Sequence, residues 1–173
     1  MKYKKGIIID PKFAQIYNNL GNVYKKQNNL VDAERMFKKS ISVDSKIPEP
    51  YNNLGNLYKS LSKYDESLNC YKNAIKSNPK FYWSHYNLGL LNIGLGNFDE
   101  SKKNLQETIK INKYFCAAHR TLSRVTKYTS DNLHFKQMIE IFNDKNIGES
   151  QKIQLSFALG KSYEDIKDYK NSF

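Results

Sequence analysis

The side chains best suited to metal binding or nucleophilic chemistry in this chain are His85, His119, His134, Cys70 and Cys116. Cys116 and His119 are three residues apart and share one face if that segment is helical, with His134 as a further candidate ligand. A zinc site takes three or four such ligands. His85 and His119, 34 residues apart, fill a position that is tyrosine earlier in the chain, which favours a packing role. We therefore predict no metal, no cofactor and no catalytic residue.

The sequence also lacks the patterns of the common catalytic mechanisms. It contains no Ser-His-Asp order, no nucleophile elbow and no phosphate-binding loop. The two cysteines fall at unrelated positions, so we expect free thiols rather than a disulfide framework. The prediction is that this chain is not an enzyme, and that any catalytic domain belongs to sequence outside it.

One octapeptide returns along the chain at a fixed interval. It reads YNNLGNVY from Tyr17, YNNLGNLY from Tyr51 and HYNLGLLN from His85, each 34 residues after the last, and HRTLS from His119 keeps the spacing. A fixed period of this length indicates stacked supersecondary units rather than one globular fold around a buried active site.

These residues resemble the tetratricopeptide repeat family, whose pattern is aromatic-x2-Leu-Gly-x2-Tyr, then Ala-x3-aromatic, then Pro. In the first repeat Leu20, Gly21, Tyr24, Ala33 and Phe37 match it. The resemblance implies an all-α fold, an α-solenoid in which antiparallel helix pairs form a right-handed superhelix.

We predict a single array of repeats. Its parts are a partial repeat at 1–13, repeats at 14–47, 48–81 and 82–115, a divergent repeat with an insertion at 116–152, and a partial repeat at 153–173. Helices are expected at about 14–27 and 30–43 in the first repeat and at about 116–128 and 132–143 in the divergent one. Because both ends cut a repeat, we expect the chain to be a piece of a larger protein.

Asparagines recur on the predicted first helices, at Asn19, Asn53 and Asn87. An asparagine side chain both donates and accepts hydrogen bonds, so a row of them can pair with a peptide backbone. A similar asparagine ladder lines the groove of the O-GlcNAc transferase family. The alternative is that these side chains bond neighbouring helices. The predicted peptide-binding groove comprises Asn18, Asn19, Asn22, Asn52, Asn53, Asn56, Trp83, Tyr86, Asn87, Arg120 and Arg124.

Tetratricopeptide domains that bind chaperone tails clamp the terminal carboxylate with lysine and arginine. Asn22 and Asn53 fit that pattern, but Asn18, Trp83 and Asn87 stand where the basic residues belong. The sequence therefore argues against such a clamp. Trp83 and Tyr86 indicate an aromatic patch in the groove instead.

Residues 119–173 carry a second resemblance. The motifs HR-x-L from His119, KYT from Lys127, KQM from Lys136 and LSFALGK-x-YED from Leu155 are similar to a segment of tetratricopeptide–sulfotransferase proteins. In those proteins the segment joins the repeats to a catalytic domain. It implies an alternative function, a non-catalytic recruiting arm of such an enzyme.

The net charge of +11 raises a third, weaker alternative, which is nucleic-acid binding. Of the 28 basic residues only three are arginine and the lysines are scattered, so a solvated lysine-rich outer face accounts for the charge better. No apolar run reaches the roughly 20 residues that span a bilayer. The leading prediction is a cytoplasmic scaffold that binds a protein or an extended peptide in its concave groove, with the oligomeric state left open.

Overall fold

The computed structural model describes residues 13–172. Over that range the chain forms nine α-helices and no β-strand, which confirms the predicted all-α class. The helices are α1 (Ala14–Lys26), α2 (Leu30–Val43), α3 (Pro48–Ser60), α4 (Tyr64–Ser77), α5 (Tyr82–Gly94), α6 (Phe98–Ile111), α7 (Cys116–Arg124), α8 (Leu133–Phe142) and α9 (Glu149–Asp165). The predicted partial repeat at 1–13 lies outside the described residues except for Phe13.

The chain divides into two compact units, the first ending at Leu91 and the second beginning at Asn92. In the first unit α1 packs on α2, and α3 packs on α4. In each pair the second helix approaches the first closely at a glycine. A β-carbon built on Gly21 would lie 2.6 Å from Cε1 of Phe37, and one on Gly55 would lie 2.7 Å from Cε1 of Tyr71. The two glycines therefore sit where the helices of a pair nearly touch.

Four helices, α1, α3, α5 and α9, end in a turn of the same backbone conformation. Its central residue adopts a positive φ, at Asn28 (56°), Ser62 (58°), Gly96 (78°) and Lys167 (63°). The next amide then reaches back to the preceding helix, as in Asn29 N–H to the carbonyl of Tyr24 (2.9 Å) and Asp168 N–H to that of Tyr163 (2.9 Å). This six-to-one bond is the Schellman termination of a helix.

The core of the first unit lies between its helix pairs. Side chains from α2, α3 and α4 form one buried cluster, Ala33, Phe37, Leu54, Leu57, Tyr58 and Cys70. A second cluster brings Tyr71 against Leu88 and Leu91 of α5. On α2, α3 and α5 these residues recur at intervals of three or four, so each of these helices buries one stripe.

The second unit packs α7 against α9, with α8 covering the contact. Its core is Cys116, Tyr128, Phe135, Met138, Ile141, Ile147, Leu155, Ala158 and Leu159. The expected helix at 116–128 ends early, at Arg124. Val125 and Thr126 are β-branched and favour helix poorly, and Tyr128 turns inward to the core, where its backbone N–H donates to Asp165.

No helix in the described part of the chain combines the length and the apolar character that a bilayer span requires.

Candidate functional site

The first helices of the first unit border an open concavity of about 550 Å³. Its lining, which we call the amide groove, is Gln15, Asn18, Asn19, Asn22, Glu49, Asn52, Asn53, Phe81 and Trp83. Six of these nine residues carry side-chain amides, so the groove presents mostly uncharged donors and acceptors. The repeat spacing produces this, since residues 34 apart fall on the same face of successive first helices.

The asparagines on neighbouring helices bond to each other, which corrects one part of the sequence prediction. Asn53 Nδ2 donates to Asn18 Oδ1 (2.9 Å), and Asn87 Nδ2 donates to Asn52 Oδ1 (2.9 Å). Asn53 and Asn87 are therefore not free donors, as the ladder hypothesis required. They link successive first helices, and Asn87 is buried while doing so. This is the alternative that the sequence left open.

Each asparagine pair still leaves groups unbonded. With its oxygen accepting from Asn53, the side chain of Asn18 turns its Nδ2 donor away from the pair, and Asn53 retains Oδ1 as an acceptor. Asn19 and Asn22 are half-buried, and their side chains make no bond to other described residues. Asn56 differs, because its Oδ1 accepts from the Tyr71 hydroxyl (2.8 Å) and so braces the ring that covers Gly55.

Of the two aromatic residues that the sequence predicted for the groove, Trp83 lines it in the structure, as does Phe81. Trp83 is 42% exposed and stacks on Tyr82 with ring centroids 5.2 Å apart. Tyr86 does not belong to the described lining. Glu49 is the charged residue of that lining, and no lysine or arginine joins it. A groove of this composition does not resemble the basic clamp that the sequence already argued against.

The two predicted arginines belong to the second unit. Arg120 donates from Nη1 to Gln154 Oε1 (3.0 Å), and its guanidinium lies 4.5 Å from the centre of the Phe157 ring. Arg124, the last residue of α7, lines a different concavity. The predicted site residues are thus distributed over two surfaces.

His85 and His119 take the packing role that the sequence favoured for them. Both are buried, and the Nε2 atom of each meets a backbone carbonyl six residues earlier, that of Pro79 (2.9 Å) or of Lys113 (2.8 Å). The sequence missed the partner of His119. Its Nδ1 lies 2.9 Å from Nε2 of His134, whose Nδ1 lies 2.7 Å from the Tyr128 hydroxyl.

When both imidazole rings are neutral, the hydrogens in this chain of bonds can be placed in one way. The Lys113 carbonyl only accepts, so Nε2 of His119 carries a hydrogen and its Nδ1 accepts. His134 must then donate from Nε2 and accept the Tyr128 hydroxyl at Nδ1. Burial lowers the pKa of His119, and burial together with the nearby His119 lowers the pKa of His134 to about 3. Both rings are therefore neutral at pH 7, and they stabilise the junction of α7, α8 and the loop between them.

No three His, Cys, Asp or Glu side chains converge on a point among residues 13–172. Both cysteines are buried and free. Burial raises the pKa of the Cys70 thiol to about 11 and also raises that of Cys116. A buried thiol with a raised pKa is a poor nucleophile.

Comparison with known families identifies three matches along the chain. Models described as tetratricopeptide repeat match residues 14–46 and 84–115, and a model described as TPR repeat matches residues 55–96. Together these matches cover more than half of the sequence. A search of curated protein sequences gives no match.

Solved structures of the same architecture resemble all of the chain or about two thirds of it. YrrB, described as a TPR protein with an unusual peptide-binding site, is 18% identical with a TM-score of 0.70, over 100% of this chain and 88% of that one. MamA is 21% identical with a TM-score of 0.63, over 99% and 88%. The first TPR of Spaghetti (RPAP3), bound to an HSP90 peptide, is 21% identical with a TM-score of 0.63, over 67% and 92%. At these identities the likeness shows the fold, a solenoid of helix pairs.

Proposed function

Since the chain belongs to the tetratricopeptide repeat family, we propose that it is a non-catalytic, protein-binding scaffold whose amide groove holds an extended peptide. The observation that carries the proposal is the set of unbonded amide groups along the groove. Asn19 and Asn22 are half-buried, border the concavity and make no bond to other described side chains.

A peptide backbone offers one donor and one acceptor per residue, which is the pair of groups that a side-chain amide complements. Asn18 supplies a donor and Asn53 an acceptor on either side of their mutual bond. Such contacts recognise the backbone, while Trp83 and Phe81 give an apolar surface for one side chain of the ligand. Two of the structural neighbours are described as binding peptides, which is consistent with this reading.

The test is a selection of peptides from a random library against the full chain, followed by titration of the best peptide against variants. Asn19→Ala with Asn22→Ala removes two hydrogen-bonding side chains and leaves the Asn18–Asn53 bond in place. Each lost bond weakens binding by about 0.5–1.5 kcal/mol, so the double variant should bind about 5- to 150-fold more weakly.

Asn73→Ala is the matched control, because Asn73 is an exposed asparagine of α4 outside the amide groove. It should leave the affinity unchanged, and helix content should be equal in all three proteins. Equal affinity of the double variant and the parent would show that the peptide binds elsewhere.

A further inference from the structure

A second concavity, of about 500 Å³, lies within the second unit. It opens between the start of α6, the segment after α7 and the last turns of α9. Its lining, which we call the cationic pocket, is Phe98, Lys102, Arg124, Val125, Thr126, Lys127, Lys161 and Asp165. Four of the eight residues are basic and one is acidic, so its charge is opposite in sign to that of the amide groove, where Glu49 is the charged residue.

The carboxylate in the cationic pocket is already neutralised. Asp165 Oδ2 accepts from Lys161 Nζ and from the backbone N–H of Tyr128 (3.0 Å). Lys161 also donates to the carbonyl of Thr126 and lies 5.4 Å from the centre of the Tyr128 ring. This pair is occupied in holding the segment after α7 against α9. Its charges cancel, which leaves Lys102, Arg124 and Lys127.

Those three cations are poorly compensated. Arg124 and Lys127 are exposed and form no ion pair with any described residue. The amino group of Lys102 is 3.7 Å from the carboxylate of Asp99, a side chain that is 93% exposed. An ion pair between groups so close to water contributes little. The pocket therefore keeps a local positive charge at neutral pH.

The backbone that carries Arg124 and Lys127 is also held in place. Arg124 ends a helix that packs on α9, and Lys127 lies between Thr126 and Tyr128, both of which are bonded to α9 residues. A binding segment whose backbone is fixed before the ligand arrives loses less conformational entropy on binding. Phe98, which is 51% exposed, adds an aromatic ring to the lining of the same pocket.

The sequence repeat relates two cations of this pocket to asparagines of the first unit. Steps of 34 lead from Asn22 to Asn56, then to Leu90 and then to Arg124. Lys161 follows 37 residues later, the interval that also separates Leu122 from Leu159. This helix position carries an amide in the first two repeats, leucine in the third, and a cation at Arg124 and Lys161.

We propose that the cationic pocket binds an acidic segment of a partner protein, with Arg124 and Lys127 contacting its carboxylates and Phe98 packing against a neighbouring apolar side chain. A guanidinium pairs with a carboxylate through two parallel hydrogen bonds. Residues 116–173 carry nine basic and seven acidic groups, so the cations form a local cluster rather than an extended basic surface. A short acidic segment fits such a cluster better than the long phosphate backbone of a nucleic acid, which requires a continuous track of cations.

The experiment titrates the full chain with a fluorescein-labelled acidic peptide of alternating aspartate, glutamate and phenylalanine. Arg124→Gln with Lys127→Gln should weaken binding about 5- to 30-fold at low salt. Lys145→Gln with Lys152→Gln is the matched control, because it removes the same charge from two exposed lysines of the same unit, outside the pocket. That control should change the affinity by less than about twofold.

A second variant, Phe98→Ala, tests the apolar part of the contact. Its effect should persist at about 0.5 M salt, where screening has removed most of the contribution from exposed charges. The peptide with asparagine and glutamine in place of the acids should bind at least about tenfold more weakly than the acidic peptide.

Three outcomes would overturn the proposal. If both double variants lost the same affinity for the peptide, the binding would be general attraction between a basic protein and an acidic peptide. Absence of binding at low salt would show that the pocket does not bind an acidic peptide. A single-stranded RNA that binds more tightly than the peptide, and that loses affinity in the Arg124 and Lys127 variant, would assign the pocket to nucleic acid. None of these results depends on the amide groove, since the Asn19 and Asn22 variant should bind the acidic peptide normally.

Discussion

Ser67 and Ser101 occupy equivalent positions in successive repeats, and their hydroxyl groups differ in one respect. Both side chains are fully buried. The Ser67 hydroxyl donates to the carbonyl of Gly55 (2.9 Å), whereas the Ser101 hydroxyl finds no partner among the residues that the structure describes. The first repeat places Ala33 here. A buried hydroxyl without a bond costs free energy that alanine avoids.

Ser101→Ala should therefore raise the free energy of unfolding by about 1–2 kcal/mol, because it removes a buried polar atom and little volume. Ser67→Ala should lower it by about 0.5–1.5 kcal/mol, since it breaks an existing bond. Urea titration followed by circular dichroism measures both. A loss of stability in the Ser101 variant would mean that its hydroxyl is bonded in solution.

At the scale of the helices, Gly21 in α1 and Gly55 in α3 set how closely each pair packs. Gly55→Ala would put a methyl group against the ring of Tyr71, which Asn56 holds by its hydroxyl and which therefore cannot move away easily. We expect a loss of about 1–3 kcal/mol. Gly94→Ala is the matched control, because a β-carbon there meets nothing within 4 Å. The control should be neutral or stabilising, since alanine favours helix more than glycine, and thermal melts of the two variants should move in opposite directions.

The helices are also where prediction from sequence succeeded most. The strict 34-residue period set the expected starts of α1 and α2, and the structure begins both at the predicted residues. Local patterns suffice there because each helix buries a stripe that its own spacing reveals. The end of α7 was predicted wrongly, since it depends on a bond from Tyr128 to Asp165, 37 residues away. No pattern local to α7 contains that information.

The candidate site was predictable by position but not by bonding. Six of the eleven predicted groove residues line one concavity, because asparagines recur at the repeat spacing, and binding of a peptide there stays a proposal. It did not show that Asn18 pairs with Asn53, since that contact depends on how one first helix packs on the next. The pairing of His119 with His134 was hidden for the same reason, as it crosses the loop between α7 and α8. The repeat boundaries and the sulfotransferase-like segment stay predictions.

Across the whole molecule the two units should respond differently to acid. His119 and His134 are both in the second unit, and their folded pKa values lie below the ordinary value near 6.5. The unfolded state then binds more protons below about pH 6.5, in the case of His134 down to about pH 3, so stability rises with pH across that window. The contribution is complete above about pH 6.5 and is lost as the pH falls through it, by up to about 1.4 kcal/mol per pH unit for each histidine.

We expect amide hydrogen exchange in the second unit to accelerate between pH 7 and pH 5, beyond the change in intrinsic rate, more than in the first unit. His134→Phe removes one titrating ring and should flatten the dependence, even though it leaves the Tyr128 hydroxyl without its partner and so lowers stability at pH 7. An unchanged slope in that variant would assign the acid sensitivity to other groups.

The two buried thiols can be used to measure local opening of the structure. Cys70 belongs to the first unit and Cys116 to the second, and each is shielded from solvent in the folded state. Alkylation of a buried thiol proceeds through an opened form, so its rate at each cysteine measures how often the surrounding helices separate. Mass spectrometry distinguishes the two labelled peptides. If a ligand slows alkylation of the cysteine in one unit, the cysteine in the other unit serves as the internal reference, and the protein needs no engineered label.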